Sequence, residues 1–263
     1  MKDILITGAY GGMGRAAVEE FRALGFRVFA LDRQVDVPEE NVIPIRADVT
    51  SSESLSLAQE QLKAYGASLD AIVHFAGIYM LDSLVEMNEG DFRCVFDVNL
   101  NGVFLVNKTF LPFVKQGGKI LVTTSELASL DPLPFTGIYA VSKAALDKYA
   151  YSLRMELQLL DITVSVLRAG AVNTGMLGVS TDALARFCEK TTLYSCNAKR
   201  FKGIVERVEA RCISPQKLAQ KASRILEKNR PRFAYAINRN PLLLLLNALP
   251  KRLQLLAIRL ILQ

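Results

Sequence analysis

Apolar residues gather in seven short runs along the chain: ILIT (4–7), RVFAL (27–31), VIPI (42–45), AIVHF (71–75), KILVTT (119–124), ITVSVL (162–167) and FAYAI (233–237). Most are continuous rather than alternating, and stretches of helical period separate most of them. A continuous apolar strand is buried on both faces, and a parallel sheet covered by helices buries it in that way. The pattern therefore predicts an α/β fold of Rossmann type, a doubly wound, seven-stranded parallel sheet with helices on both faces. Ser214-Pro215 reads as an N-cap followed by proline at the first helical position, opening a helix that runs to about Lys228. No repeat and no low-complexity linker interrupts the pattern. One catalytic domain is expected over residues 1–230, with a last strand and a basic, apolar extension over 231–263.

Charge changes this picture only at the end of the chain. Of 32 Lys and Arg, seven lie within residues 228–263, which hold no Asp or Glu, so the body is net −1 and the tail is basic. A nucleic-acid partner is not expected, since it calls for basic residues spread along a face and interleaved with stacking aromatics. The longest apolar run, Pro241 to Pro250, is too short to span a bilayer, and the N-terminus MKDILITGAYGG has too short an apolar run for a secretory signal. Four cysteines (94, 188, 196 and 212) form no CxxC pair, and a single histidine leaves no cluster for a metal. A reduced, cytoplasmic setting is expected, with peripheral membrane contact through the tail as a further option.

Two short stretches carry chemistry. The first strand runs into TGAYGGMG, which puts Gly8, Gly12 and Gly14 at a turn into a helix. Glycine there lets backbone approach a pyrophosphate, and the helix N-terminus offers N–H donors with a favourable dipole. Asp32, at the end of the second strand, is placed to accept hydrogen bonds from the adenosine ribose hydroxyls and to repel a 2′-phosphate. NAD is the expected cofactor, with NADP possible because Arg33 stands beside it. The second stretch, GIYAVSKAAL, sets Tyr139 and Lys143 one helical turn apart on the same face. A cation beside a phenol favours the phenolate, so the pair is a candidate proton-transfer device.

With these motifs in order, the chain resembles the short-chain dehydrogenase/reductases over nearly all its length to about residue 230. TGAYGGMG is similar to that family's cofactor loop, which implies contacts from Gly8, Tyr10, Gly11, Gly12, Met13 and Gly14. Asp48-Val49 resembles the pair that holds the adenine. Asn99 in DVNLNG, Ser125 in VTTSE, and Tyr139 with Lys143 resemble the catalytic tetrad. The resemblance implies that Tyr139 donates the proton, Ser125 steadies the substrate oxygen, Lys143 lowers the tyrosine pKa and holds the nicotinamide ribose, and Asn99 fixes a relay water. Ala76 and Gly77 after the fourth strand, and Val172 and Thr174 after the sixth, are further implied cofactor contacts. HFAG stands where the family has NNAG, so Phe75 replaces an asparagine. Ser125 lies 14 residues before Tyr139 rather than the more common 13, a place filled here by Glu126.

The activity implied is interconversion of a secondary alcohol and a ketone. Tyr79, Met80, Leu133, Phe135, Met176, Leu177, Phe187 and Tyr194 lie in loops beyond the strand ends, where this fold binds substrate, and they suggest an apolar one such as a hydroxysteroid or retinoid. The tail is similar in character to the C-termini of hydroxysteroid and retinol dehydrogenases. Reduction of a small polar carbonyl, a catalytically idle NAD-binding regulator, and an epimerase of the extended branch are the alternatives. A homodimer or homotetramer is expected. The apolar tail must find cover in a partner subunit, in the mouth of the pocket, or on a membrane surface.

Overall fold

The protein is described here by a computed structural model that covers residues 1–209 and 212–263; for residues 175–182 and 206–209 it gives the backbone only. Among the described residues seven strands form one parallel sheet: β1 (Lys2–Thr7), β2 (Phe26–Asp32), β3 (Val42–Arg46), β4 (Leu69–His74), β5 (Val114–Ser125), β6 (Thr163–Ala169) and β7 (Ala234–Ile237). Their order is β3-β2-β1-β4-β5-β6-β7, with every neighbouring pair parallel. The chain winds outward from β1 to β3, then returns to lay β4 on the other side of β1. That reversal opens a crevice at the carboxyl ends of β1 and β4, the usual binding position in such sheets.

Successive strand residues feed opposite cores, which explains the continuous apolar runs. Ile4 and Ile6 of β1, Val28 and Ala30 of β2, and Ala71 and Val73 of β4 pack beneath α1 (Gly12–Ala23) and α8 (Pro215–Leu226). Leu5, Phe29 and Ile72 face the other way, toward α2 (Ser52–Ala64), α4 (Gly102–Phe110) and α5 (Gly137–Leu157). Side chains open several helices: Ser51 accepts from the Ser54 N–H before α2, Asn88 from the Asp91 N–H before α3 (Glu89–Phe96), and Ser214 from the Lys217 N–H before α8. A third, smaller core lies beyond the carboxyl ends of the strands. It is built from α6 (Gly175–Lys190), α7 (Ser195–Glu209) and α10 (Lys251–Leu262), with α9 (Pro241–Ala248) leading into α10. No helix among the described residues is long and apolar enough to cross a membrane.

A buried ion pair ties helix α5 to the sheet. Asp147, one turn beyond Lys143, accepts from Arg168 of β6 at 3.1 and 2.7 Å and from the Thr124 hydroxyl of β5 at 3.3 Å. Thr124 precedes Ser125, so this clamp fixes the distance from the helix of Tyr139 and Lys143 to the strand of Ser125. Replacing Asp147 by Ala would leave the Arg168 guanidinium half-buried without its counter-charge. We expect Asp147→Ala to lower the unfolding free energy by roughly 2–4 kcal/mol in urea titrations, and an unshifted midpoint would contradict the clamp.

Candidate active site

The glycine turn is built for close approach. Gly8 has φ +65°, and a Cβ there would stand 2.5 Å from the Ala76 nitrogen; a Cβ on Gly14 would stand 2.0 Å from the Gly8 carbonyl oxygen. Only glycine fits both places, and the gap it leaves brings bare backbone to the start of α1. Helix α1 opens on Gly11 with no capping side chain and no acidic residue in its first turn, so its leading N–H groups and dipole stay available to an anion. Thr174 lies against Gly12, and Val172 is bridged to Ile213 just before it. At the end of β2 the Asp32 carboxylate accepts from the Tyr10 N–H at 3.0 Å and the Arg33 N–H at 2.7 Å, which seats it on the glycine loop. Asp48, past β3, accepts from the Thr50 N–H and hydroxyl; these bonds, with the Arg33 charge nearby, keep its carboxyl below the usual range. Val49 is buried against Gly102. The uncapped glycine cradle and a carboxylate one strand away fit a dinucleotide.

Asn99 sits in a π-helical turn (Asp97–Asn101) between α3 and α4. Such a turn re-aims a side chain, and this one is fully buried. Its Oδ1 accepts from the Ile78 N–H at 2.8 Å, while its Nδ2 donates to the Ile78 carbonyl at 3.0 Å and the Ser142 hydroxyl at 3.1 Å. Ser142 in turn donates to the Tyr139 carbonyl at 2.8 Å. A Cβ on Gly77 would lie 3.1 Å from Asn99 Oδ1 and 3.2 Å from Lys143 Nζ, so both side chains reach the same point. The Lys143 nitrogen is 5.8 Å from the centre of the Tyr139 ring. The Ser125 hydroxyl, at the end of β5, bonds the Tyr139 phenol and accepts from the Leu127 N–H. All four tetrad candidates thus converge.

Burial dominates the electrostatics of Tyr139 and Lys143. Burial pushes the phenol up to about 12, with the Ser125 hydrogen bond acting the other way. Burial also pushes Lys143 down, to about 8. The physical reason is burial, which disfavours the charged form of each group. Near neutrality the pair is a neutral phenol beside an ammonium. His74, at the end of β4, meets Asn107 at 2.9 Å and is pushed down to about 4 by burial, so it stands neutral away from the tetrad. Phe75 packs in the core below α1.

Tyr139, Lys143 and Ser125 open onto a cavity of about 520 Å³. Tyr79 lines it, its ring 4.7 Å from that of Tyr139, and so does Leu133. Met80, Phe135, Phe187 and Tyr194, expected from sequence to line it, do not. Phe135 instead stacks at 4.7 to 5.5 Å on Phe187, Tyr194 and Phe201, and Phe135, Phe187 and Phe201 pack the third core. The side chains of Met176 and Leu177 lie outside the described residues. What the loop reading missed is the roof: Leu243, Leu246 and Leu249, from α9 and just after it, with Ile258 and Leu262 of α10. The signal was there in the leucine run of the tail, which has the cavity among its expected covers. Polar contacts hold this lid down. Buried Glu126 accepts from the Asn240 N–H at 2.7 Å, Asn247 accepts from the Asp131 N–H, Lys251 and Gln254 bond the Asp131 carboxylate, and Asn197 donates to the Leu262 carbonyl at 2.8 Å.

The chain is similar in sequence and fold to known proteins. A family model for short chain dehydrogenases matches residues 2–185. The chain is 27% identical over 235 residues to the 3-ketodihydrosphingosine reductase of Bacteroides thetaiotaomicron, covering 88% of this chain and 85% of that one. It is 31% identical over 191 residues to estradiol 17-beta-dehydrogenase 2 of Mus musculus; that match covers 67% of this chain and half the length of the mouse enzyme. An X-ray structure of an alcohol dehydrogenase from the archaeon Thermococcus sibiricus, complexed with 5-hydroxy-NADP, superposes with a TM-score of 0.73 at 25% identity, covering 92% of this chain and 99% of that one.

The depressed Lys143 pKa has a consequence for folding. Between about pH 8 and the unfolded value of 10.5, the unfolded chain holds a proton that the folded chain has released. Stability therefore rises with pH across that window, by at most about 1.4 kcal/mol per pH unit from this group. The difference in unfolding free energy between the cofactor-free wild type and Lys143→Met should carry this slope from pH 8 to 10, and a flat difference would contradict the burial of the amine.

Proposed function

Because the chain belongs to the short-chain dehydrogenase/reductase family, whose members are NAD(P)-linked oxidoreductases acting on alcohol and ketone groups, we propose that it reduces an apolar ketone to the secondary alcohol, and catalyses the reverse oxidation, with Tyr139 as the proton-transfer group. The observation that carries this reading is the cavity, which has Tyr139 and Ser125 at one side and aliphatic side chains of α9 and α10 over it. A ketone placed there meets two hydroxyls at its oxygen and the aliphatic side chains of α9 and α10 above it. A hydroxysteroid, a retinoid or a long-chain keto lipid fits that chemistry, and two of the relatives are named for acting on a keto-sphingoid and on estradiol.

When bound, the nicotinamide supplies the hydride. The protein's own part is to hold the carbonyl and deliver a proton. Ser125 donates to the carbonyl oxygen as negative charge builds there, and Tyr139 gives up its phenolic proton to that oxygen. A phenol held neutral near pH 7 is ready to donate its proton in the reduction direction. Lys143 holds the neighbouring proton as an ammonium below about pH 8, and the site held by Asn99 and the Ile78 carbonyl would seat a water linking that ammonium to solvent. Gly8 through Gly14 and Ala76 would take the pyrophosphate and its flanking ribose, with Val172 and Thr174 toward the nicotinamide amide. Asp32, seated on the loop, favours NAD, because Arg15 is occupied by Asp36 and Arg33 lies toward Asp48.

Residues 1–230 serve as the catalytic unit in this reading, with 231–263 as last strand and lid. Self-association belongs to it as well: Val141, Tyr151 and Met155 are about half exposed along one side of α5, an apolar stripe a second copy would cover. A cytoplasmic setting is supported by exposed thiols at Cys94 and Cys196.

Tyr139→Phe is expected to reduce kcat by at least about 10³-fold while NAD affinity stays within a few fold, since the phenol transfers a proton and adds little to dinucleotide binding. Activity within tenfold of wild type would remove Tyr139 from the mechanism. In parallel, kcat/KM for NAD should exceed that for NADP, and Asp32→Ala should narrow the ratio by about tenfold or more. A wild type that prefers NADP would show that Arg33 governs the ribose site.

A further inference from the structure

The lid has two faces with different partners. On α10, Gln254 and Leu262 are buried, and Ile258 and Leu262 line the cavity. At about 100° per residue, Leu253, Leu256 and Leu260 fall within about 60° of one another on the opposite side. They are 51, 51 and 69% exposed and line no part of the cavity. Three more aliphatic residues, Leu242, Leu245 and Ile261, are both exposed and on the cavity wall, so they form the rim of its mouth. The outer lid and the mouth together present six large aliphatic side chains to the surroundings, more apolar surface than scattered single residues would leave.

Charge says what the cover is. Arg252 and Arg259 are exposed and flank the outer leucine stripe of α10, and Arg239 stands exposed just before α9. Lys251 is engaged by Asp131 and Arg239 lies toward Glu126, but no acidic residue lies between 228 and 263 beside Arg252 and Arg259. A second copy brought lid to lid with the two α10 helices antiparallel would set the arginine edges side by side. An anionic lipid surface complements both features, since it attracts the arginines and receives the leucines at the headgroup boundary.

We propose that the α9–α10 lid docks its outer face on an anionic bilayer, with the mouth of the cavity opening onto the lipid. An apolar ketone would then pass from bilayer to active site without crossing water. That consequence rests on the apolar substrate proposed above, whereas the docking itself does not.

Sedimentation of the full chain with vesicles tests this without any measurement of turnover. The protein is mixed with phosphatidylglycerol–phosphatidylcholine vesicles or with phosphatidylcholine vesicles alone, at low and high salt, and its mass in solution is followed by light scattering. The proposal predicts binding to anionic vesicles at least tenfold tighter than to neutral ones, weakened by salt. Arg252→Gln with Arg259→Gln should weaken it severalfold, and Leu253→Asn with Leu256→Asn and Leu260→Asn at least tenfold, with solution mass unchanged in both. Wild-type protein that stays in the supernatant with anionic vesicles overturns the proposal. So does a triple leucine variant of lower mass, which would assign the face to a second copy. Should the triple variant misfold by circular dichroism, the arginine pair decides alone, and undiminished binding in that variant overturns the proposal.

Discussion

Burial of two ionisable groups side by side governs this molecule. Tyr139 and Lys143 share one face of α5 inside an apolar cavity, and loss of water drives each toward its neutral form, the phenol up to about 12 and the amine down to about 8. Much of the surrounding structure maintains that condition. The Asp147–Arg168 pair fixes α5 against β5 and β6, the π-helical turn delivers Asn99, and the lid, latched at Glu126, Asp131 and Asn197, keeps hydrocarbon above the phenol. Opening the lid would admit water and relax both pKa values toward their ordinary ranges, so the substrate cover and the acid-base character of the site are one property.

Glu126 shows how the cover is coupled to the chemistry. It follows Ser125 in the chain, its carboxylate is buried, and it accepts the N–H of the residue that caps α9. Burial pushes this carboxyl up, and the Asn240 hydrogen bond and the Arg239 charge oppose the shift. A single turn, Glu126–Ala128, therefore carries the hydroxyl that bonds the phenol at one end and the anchor of the lid beside it.

Much of the fold was legible because strand burial on two faces leaves a plain record: Ile4, Leu5 and Ile6 must all be apolar when alternate residues enter different cores. The glycine turn and the Tyr139–Lys143 spacing were legible for a similar reason, since each demands particular residues at fixed local intervals. The cavity lining was not. Phe135, Phe187 and Tyr194 look the same in sequence whether they face a substrate or one another, and here they stack together. The roof comes from residues more than 100 positions away from Tyr139 in the chain, and only tertiary packing brings them over it. The direction of the tyrosine shift was also hidden, because proximity of a lysine is visible in spacing while depth of burial is not. Only the lid's inner face is settled by the fold itself.

An apolar, lidded cavity that presents a ketone to a neutral phenol must select for hydrocarbon on the substrate. The most direct measurement is kcat/KM for a homologous series of straight-chain methyl ketones, followed by consumption of reduced cofactor at neutral pH. Each methylene taken into the cavity should raise kcat/KM by roughly two- to fourfold until the cavity is filled, whereas a value that is flat or falls with chain length would show that the cavity does not receive the hydrocarbon chain.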